Sequence, residues 1–208
     1  MTMSEDTHNK LNQIKRSFRL MMNGVTAQSM RSKGLDYKLN WGTNIIDLKT
    51  MAQEYGKDYD LAVALWKESI RECKILATLI MPANQMHEEL ACTWMDQTQT
   101  QEIAEMLALN LFQYLSFASK LAYRWLASDK ALYQICAFQI LSKCFIKGEK
   151  PDAKDISVFL SQACVALQDE NLSVRHAAMN CVIHFMDLGK EYDLSAREAL
   201  SKARIDII

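Results

Sequence analysis

The chain has 208 residues, of which half are hydrophobic and about a quarter charged, the balance of a folded chain with a continuous core and not of a disordered one. A net charge of −1 gives no global pull toward nucleic acid, and six glycines with two prolines are too few for the turns of a sheet-rich fold. No uncharged apolar run approaches the roughly 20 residues that span a bilayer; with no basic-then-apolar leader in the opening MTMSED, a cytoplasmic protein without membrane contact is expected.

In chain order, Leu11, Ile14, Phe18, Leu20, Met21, Val25 and Met30 recur at near-helical spacing, so about 7–33 predicts one or two helices stopped at Gly34. Residues 1–38 hold seven bases against three acids. That surplus makes a basic arm able to meet phosphate, with Lys15, Arg16 and Arg19 as backbone contacts, or else the solvated face of a first helix. A loop over 35–43 follows. Helical runs then succeed one another at about 44–55, 59–69, 71–81, 84–95, 100–114, 116–127, 130–147, 153–168, 172–188 and 194–206. Asp58, Asp129, Asp152, Asn171 and Asp193 stand where N-caps are needed, since a side-chain oxygen there satisfies orphan N–H groups. Short connections between so many helices predict antiparallel neighbours.

A polar residue followed eight positions later by alanine recurs as Ser69…Ala77, Asp96…Ala104, Asp129…Ala137 and Asp169…Ala177. The polar residue would cap the second helix of a pair and the alanine would let helices approach. Intervals of 27, 33 and 40 residues mark a degenerate repeat of stacked pairs. Its clearest copy, Leu167 to Ala178, resembles the HEAT consensus. The fold class expected is therefore all-α, a HEAT-like solenoid forming a single domain over 1–208, with basic helices in 1–34 and repeats over 44–190.

Several chemistries have no motif. The chain contains no Gly-rich phosphate loop, no dinucleotide fingerprint and no nucleophile elbow. Its six cysteines form no C-x-x-C pair, and five sit among apolar residues of helical runs; they behave as small hydrophobes in a reducing compartment. Among His8, His87, His176 and His184 there is no H-E-x-x-H, and the last two are two turns apart. Neither a metal nor a cofactor is expected.

The segment Asp60 to Ile80, with Leu65-Trp66, Arg71-Glu72 and Leu76-Ala77, resembles the core signature of the HEAT-like DNA alkylation repair family, the AlkD-type glycosylases. Asn44 to Tyr55, Glu89 to Trp94 and Ala122-x-x-Trp125-x-x-x-Asp129 are similar to further family segments in the right order, so the resemblance spans about 36–190. It implies a concave basic face that cups double-stranded DNA. It also implies release of cationic N3- or N7-alkylated purines, with a carboxylate stabilising the oxocarbenium-like sugar and aromatic side chains contacting the lesion's backbone.

Carried over one by one, the family's Trp-x-x-x-Asp falls on Gln101 and Glu105, a later arginine on Tyr133 or Gln134, and a last tryptophan near Cys181. Glu105 is thus the candidate catalytic carboxylate, or a solvated surface residue; a one-turn slip would substitute Glu102. Arg175 is a phosphate contact or a structural partner within the repeat. Trp125 and Asp129 keep the Trp-x-x-x-Asp spacing one helix pair later and read as packing and cap. The resemblance implies damaged or intact duplex DNA as partner with doubtful base excision; a non-catalytic protein-binding scaffold is the alternative.

Overall fold

The computed structural model describes residues 4–205, which form twelve α-helices. An isolated parallel bridge, Leu39 to Ile70, is all the β-pairing among the described residues. The chain divides into two compact units at Leu111/Phe112.

The first unit contains α1 (Glu5–Leu20), α2 (Gly24–Ser32), α3 (Ile45–Tyr55), α4 (Tyr59–Lys67), α5 (Arg71–Ile80), α6 (Glu88–Asp96) and α7 (Gln101–Asn110). Three residues separate α4 from α5, so the two pack back on one another; α5 also lies between α3 and α7, and α1 covers α4. Asp58 accepts from Leu61 N–H at 3.0 Å and starts α4. Trp66 of α4 and Trp94 of α6 lie face to face, 4.2 Å between centroids and parallel within 2°. Both are buried, and the Trp66 indole N–H donates to Gln97 Oε1 at 2.7 Å. The alternate helices of each layer therefore meet, α4 on α6 and α5 on α7, which is how stacked pairs bury faces that no single pair could bury.

The second unit contains α8 (Ala118–Leu126), α9 (Ala131–Ile146), α10 (Ala153–Ala166), α11 (Leu172–Met186) and α12 (Lys190–Lys202). Here α9 packs on α8 and α11, and α10 on α8, α11 and α12. Its centre is a chain of rings: Phe159 meets Phe138, Phe145 and Phe185, and Phe185 meets Tyr192 edge-on at 5.3 Å. Trp125 packs between Phe112 and Tyr133.

The alanines of the repeat, Ala77, Ala104, Ala137 and Ala177, are all buried, on α5, α7, α9 and α11. Their proposed caps fare differently. Ile70 and Lys130 occupy the N-caps of α5 and α9 with no side-chain acceptor, so neither Ser69 nor Asp129 caps. Asp96 ends α6, and α7 is capped by Thr100. Asp169 accepts instead from Asn171 N–H at 2.7 Å, and Asn171 caps α11. Asp193 lies in the first turn of α12, which begins four residues earlier than its apolar pattern, behind Gly189. Asp152 does cap α10. Two runs are shorter than their periodicity: after Pro82 a 3-10 turn precedes α6, and α7 breaks at Leu111 before another at Phe112–Tyr114.

Candidate functional site

The loop before α3 is extended along the start of α5, where Arg71 N–H donates to Leu39 C=O at 3.0 Å. It is held there by charge. Glu72, wholly buried, accepts from the backbone N–H groups of Trp41 and Thr43. Arg71, 3% exposed, donates to Thr43 C=O at 3.0 Å and to Glu72 Oε1 at 3.1 Å. Its other two nitrogens grip Glu102 of α7 in a bidentate pair, Nε to Oε2 at 2.8 Å and Nη2 to Oε1 at 2.6 Å. Tyr37 closes the circuit with its hydroxyl on Glu102 Oε2 at 2.5 Å. Gly42 is obligatory in this loop: its φ is +71°, and a Cβ would lie 2.2 Å from the Asn23 carbonyl oxygen at the start of α2.

Such a constellation holds its charges by mutual pairing. Burial drives the Glu102 carboxyl upward, but Arg71 and Tyr37 outweigh it and leave the group below its ordinary range. Burial likewise lowers Arg71, and Glu102 with Glu72 more than restores it. Tyr37 is raised by burial first and by Glu102 second, so it stays a donor. The Arg-Glu pair read from the sequence as a family signature is thus a clamp between α5, α7 and the loop. Glu102 is not a free carboxylate.

Glu105, one turn further along α7, is half-buried and accepts from Gln101 Nε2 at 2.8 Å. These two candidates do come together. Gln134 and Tyr133 lie in the second unit: the Gln134 amide donates to Ser128 C=O at 2.7 Å, and the Tyr133 ring stands edge-on to Trp125 at 5.2 Å. Arg175 donates to the carbonyls of Asp169 and Glu170 at 2.6 and 3.1 Å, closing the loop before α11. Both bonds run to main-chain oxygens within the repeat. Cys181 is completely buried in α11, and burial pushes its thiol well above the ordinary value.

Of the N-terminal cations, Lys15 is paired with Glu68 at 2.9 Å and Arg19 stacks over Trp41 at 5.9 Å. Arg16 is exposed, as are Arg31, Lys33 and Lys38. No helix among the described residues is long and apolar enough to cross a membrane. No group of three His, Cys, Asp or Glu side chains converges there as a metal cage would.

A cavity of about 320 Å³ opens beside the clamp, lined among others by Lys38, Trp66, Ser69, Arg71, Lys74 and Thr100. Sequence reasoning missed it because its walls come from three separated turns. The available signal was Lys74, a cation within the apolar run of α5.

The profile of the family described as "DNA alkylation repair enzyme" matches residues 14–203. The chain belongs to that family. A solved structure similar to this DNA alkylation repair protein, at TM-score 0.79 and 16% identity, covers 93% of this chain and 83% of its own. It is described as "a new family of proteins related to the HEAT-like repeat DNA glycosylases with affinity for branched DNA structures". The similarity gives this chain the all-α, HEAT-like repeat fold expected from its sequence. No curated protein matches it.

Proposed function

We propose that this member of the DNA alkylation repair family binds duplex, damaged or branched DNA by shape and backbone charge, and excises alkylated purines poorly or not at all. The carrying observation is family membership over 14–203 joined to replacement of the family's aromatic and cationic groups at Gln101, Tyr133 or Gln134, and Cys181. The affinity of the similar solved protein for branched DNA favours the binding half of this reading. Exposed Arg16, Arg31, Lys33 and Lys38 supply cations for phosphate contact.

On the chemical side, Glu105 is the remaining candidate carboxylate, and its side chain is engaged by Gln101. Losing one group from a preorganised site costs roughly 10²–10³ in rate, and a misplacement of about 1 Å costs about 100-fold. A buried cysteine offers no ring to a lesion.

Two measurements test the two halves. Affinity for undamaged, abasic-analogue and four-way branched duplexes across a salt series reads the binding; a log–log salt slope that shrinks when Arg16 and Arg19 are reversed in charge supports phosphate contact. Single-turnover release of 7-methylguanine from alkylated duplex reads the chemistry. Release well above the spontaneous rate and abolished by Glu105→Gln overturns the inactive reading. A second reading, a protein-binding scaffold, is favoured by Leu20 and Val25, which are 89% and 83% exposed beside Met22 at the α1–α2 corner. It takes precedence if no duplex binds even at low salt.

A further inference from the structure

The cavity beside the clamp contains a cation that the clamp does not use. Lys74 is half-buried in the second turn of α5. Its Nζ lies 4.3 Å from the Trp66 ring centroid and donates to the Trp66 carbonyl at the end of α4. Among the described residues no carboxylate pairs with it, in contrast to Arg71, which is paired with Glu102 and Glu72. An ammonium withdrawn from water without a counterion is costly, and burial accordingly holds Lys74 below its ordinary value. The carbonyl takes one of its three donors, leaving two for a ligand.

The rest of the wall has matching character. Lys38 adds a second cation from the loop, against the carboxylate of exposed Asp36. Ser69 brings a hydroxyl, and Trp66 and Tyr37 bring aromatic surface, while the hydroxyls of Thr98 and Thr100 on the same wall are taken up by Trp94 C=O, Tyr37 and the Ile103 N–H. The volume, about 320 Å³, sits at the lower end of small-ligand sites, which run about 300–1,000 Å³. That is too large for a lone ion and suited to a phosphate with a sugar or base attached.

We propose that this cavity binds a phosphate ester of nucleotide size, its phosphate oxygens on Lys74 and Lys38 and its organic part against Tyr37 and the Trp66 edge. The source is either a phosphorylated strand end or a free mononucleotide. The inference deepens the DNA-binding reading by naming a chemical group and a place for it, yet it stands on the cavity alone.

The experiment is a titration of the full chain with inorganic phosphate, at ionic strength fixed with sodium chloride, followed by backbone and lysine side-chain NMR. Saturable shifts confined to Lys38, Ser69–Lys74 and Thr98–Thr100 are expected. Lys74→Met keeps the aliphatic stem on the Trp66 ring and removes the charge. It should weaken phosphate about tenfold or more, the loss of one charge-assisted hydrogen bond. Lys38→Ala, at an exposed position outside any helix, should weaken it by a smaller factor without touching the fold. No saturable shift, or equal affinity in wild type and both variants, overturns the site. Tighter binding of an end-phosphorylated duplex than of its hydroxyl-ended twin supports the site and assigns the strand end. Equal duplex binding alongside competition by a mononucleotide supports it and assigns the small ligand. Phosphate binding with no duplex binding at all sinks the DNA reading and leaves this site standing.

Discussion

The two units are built from the same helix-pair plan and are held by different physics. In the first, the loop, α5 and α7 are tied through Arg71, Glu72, Glu102 and Tyr37, with a parallel tryptophan stack to one side. In the second, phenylalanine rings from α9, α10 and α11 fill the centre. An ionic clamp is directional, because its hydrogen bonds need particular donors and acceptors in line, so it fixes the course of the twelve-residue connection between α2 and α3, which has no helix of its own. Ring packing is tolerant and suits helices whose register is already set by their own hydrogen bonds. The first unit gains a defined loop and the cavity beside it, and becomes sensitive to charge.

Removing one member of a buried pair strands the other, at about 3–5 kcal/mol. Arg71→Met should therefore destabilise the protein by that amount in urea unfolding, with loss of amide protection concentrated in residues 35–44 and α5. Replacing Arg71 and Glu102 together by apolar residues should recover part of it. A loss below about 1 kcal/mol for the single variant would mean that water satisfies the carboxylates and that the clamp is not buried in solution.

Phe159→Ala should cost a comparable sum, about 3–5 kcal/mol, by opening a hole among Phe138, Phe145 and Phe185. The contrast lies in the conservative change. Phe159→Leu should retain most of the stability, whereas Arg71→Lys, which cannot reproduce the two-pronged grip, should not. Equal losses for the two conservative variants would erase the distinction between the units.

Acid separates the units more gently. The Glu102 carboxyl is depressed in the folded state, so its stabilisation is complete above its unfolded value near 4.5 and is lost as pH falls through the lower folded value. Asp155 in the second unit runs the other way: burial and then Asp152 raise it, so protonation there favours folding. Amide exchange measured down through pH 4.5 should show residues 35–44 opening before α9 and α11. Simultaneous opening would show that Glu102 does not govern the acid limb.

The smallest effect belongs to Lys15. Its pair with Glu68 at 2.9 Å is partly exposed, and Lys15→Ala should cost no more than about 0.2–1 kcal/mol, screened away in high salt. If the same variant lowers the salt slope of DNA binding, the lysine leaves Glu68 for phosphate. An unchanged slope confines the backbone contacts to cations such as Arg16, which are exposed already.

The helices of both units were legible in the sequence because an amphipathic period of 3.6 is local information; Trp66, Leu76, Trp94 and Trp125, which mark the family-like segments, are all buried. The repeat alanines were legible for the same reason: only a small side chain lets two helices approach at a fixed position. The caps were less so. A cap depends on the φ and ψ of one residue, so Ile70 and Lys130 took N-cap positions that composition assigns to Ser69 and Asp129. The function of Arg71-Glu72 was not legible at all. Its partners stand 28 to 31 residues away on a loop and another helix, and no local pattern encodes which carboxylate a buried guanidinium meets. Tertiary structure alone made Glu102 a clamp and left Lys74 at the wall of a cavity with no carboxylate partner among the described residues, because charge pairing is settled by distances between segments that the sequence keeps apart.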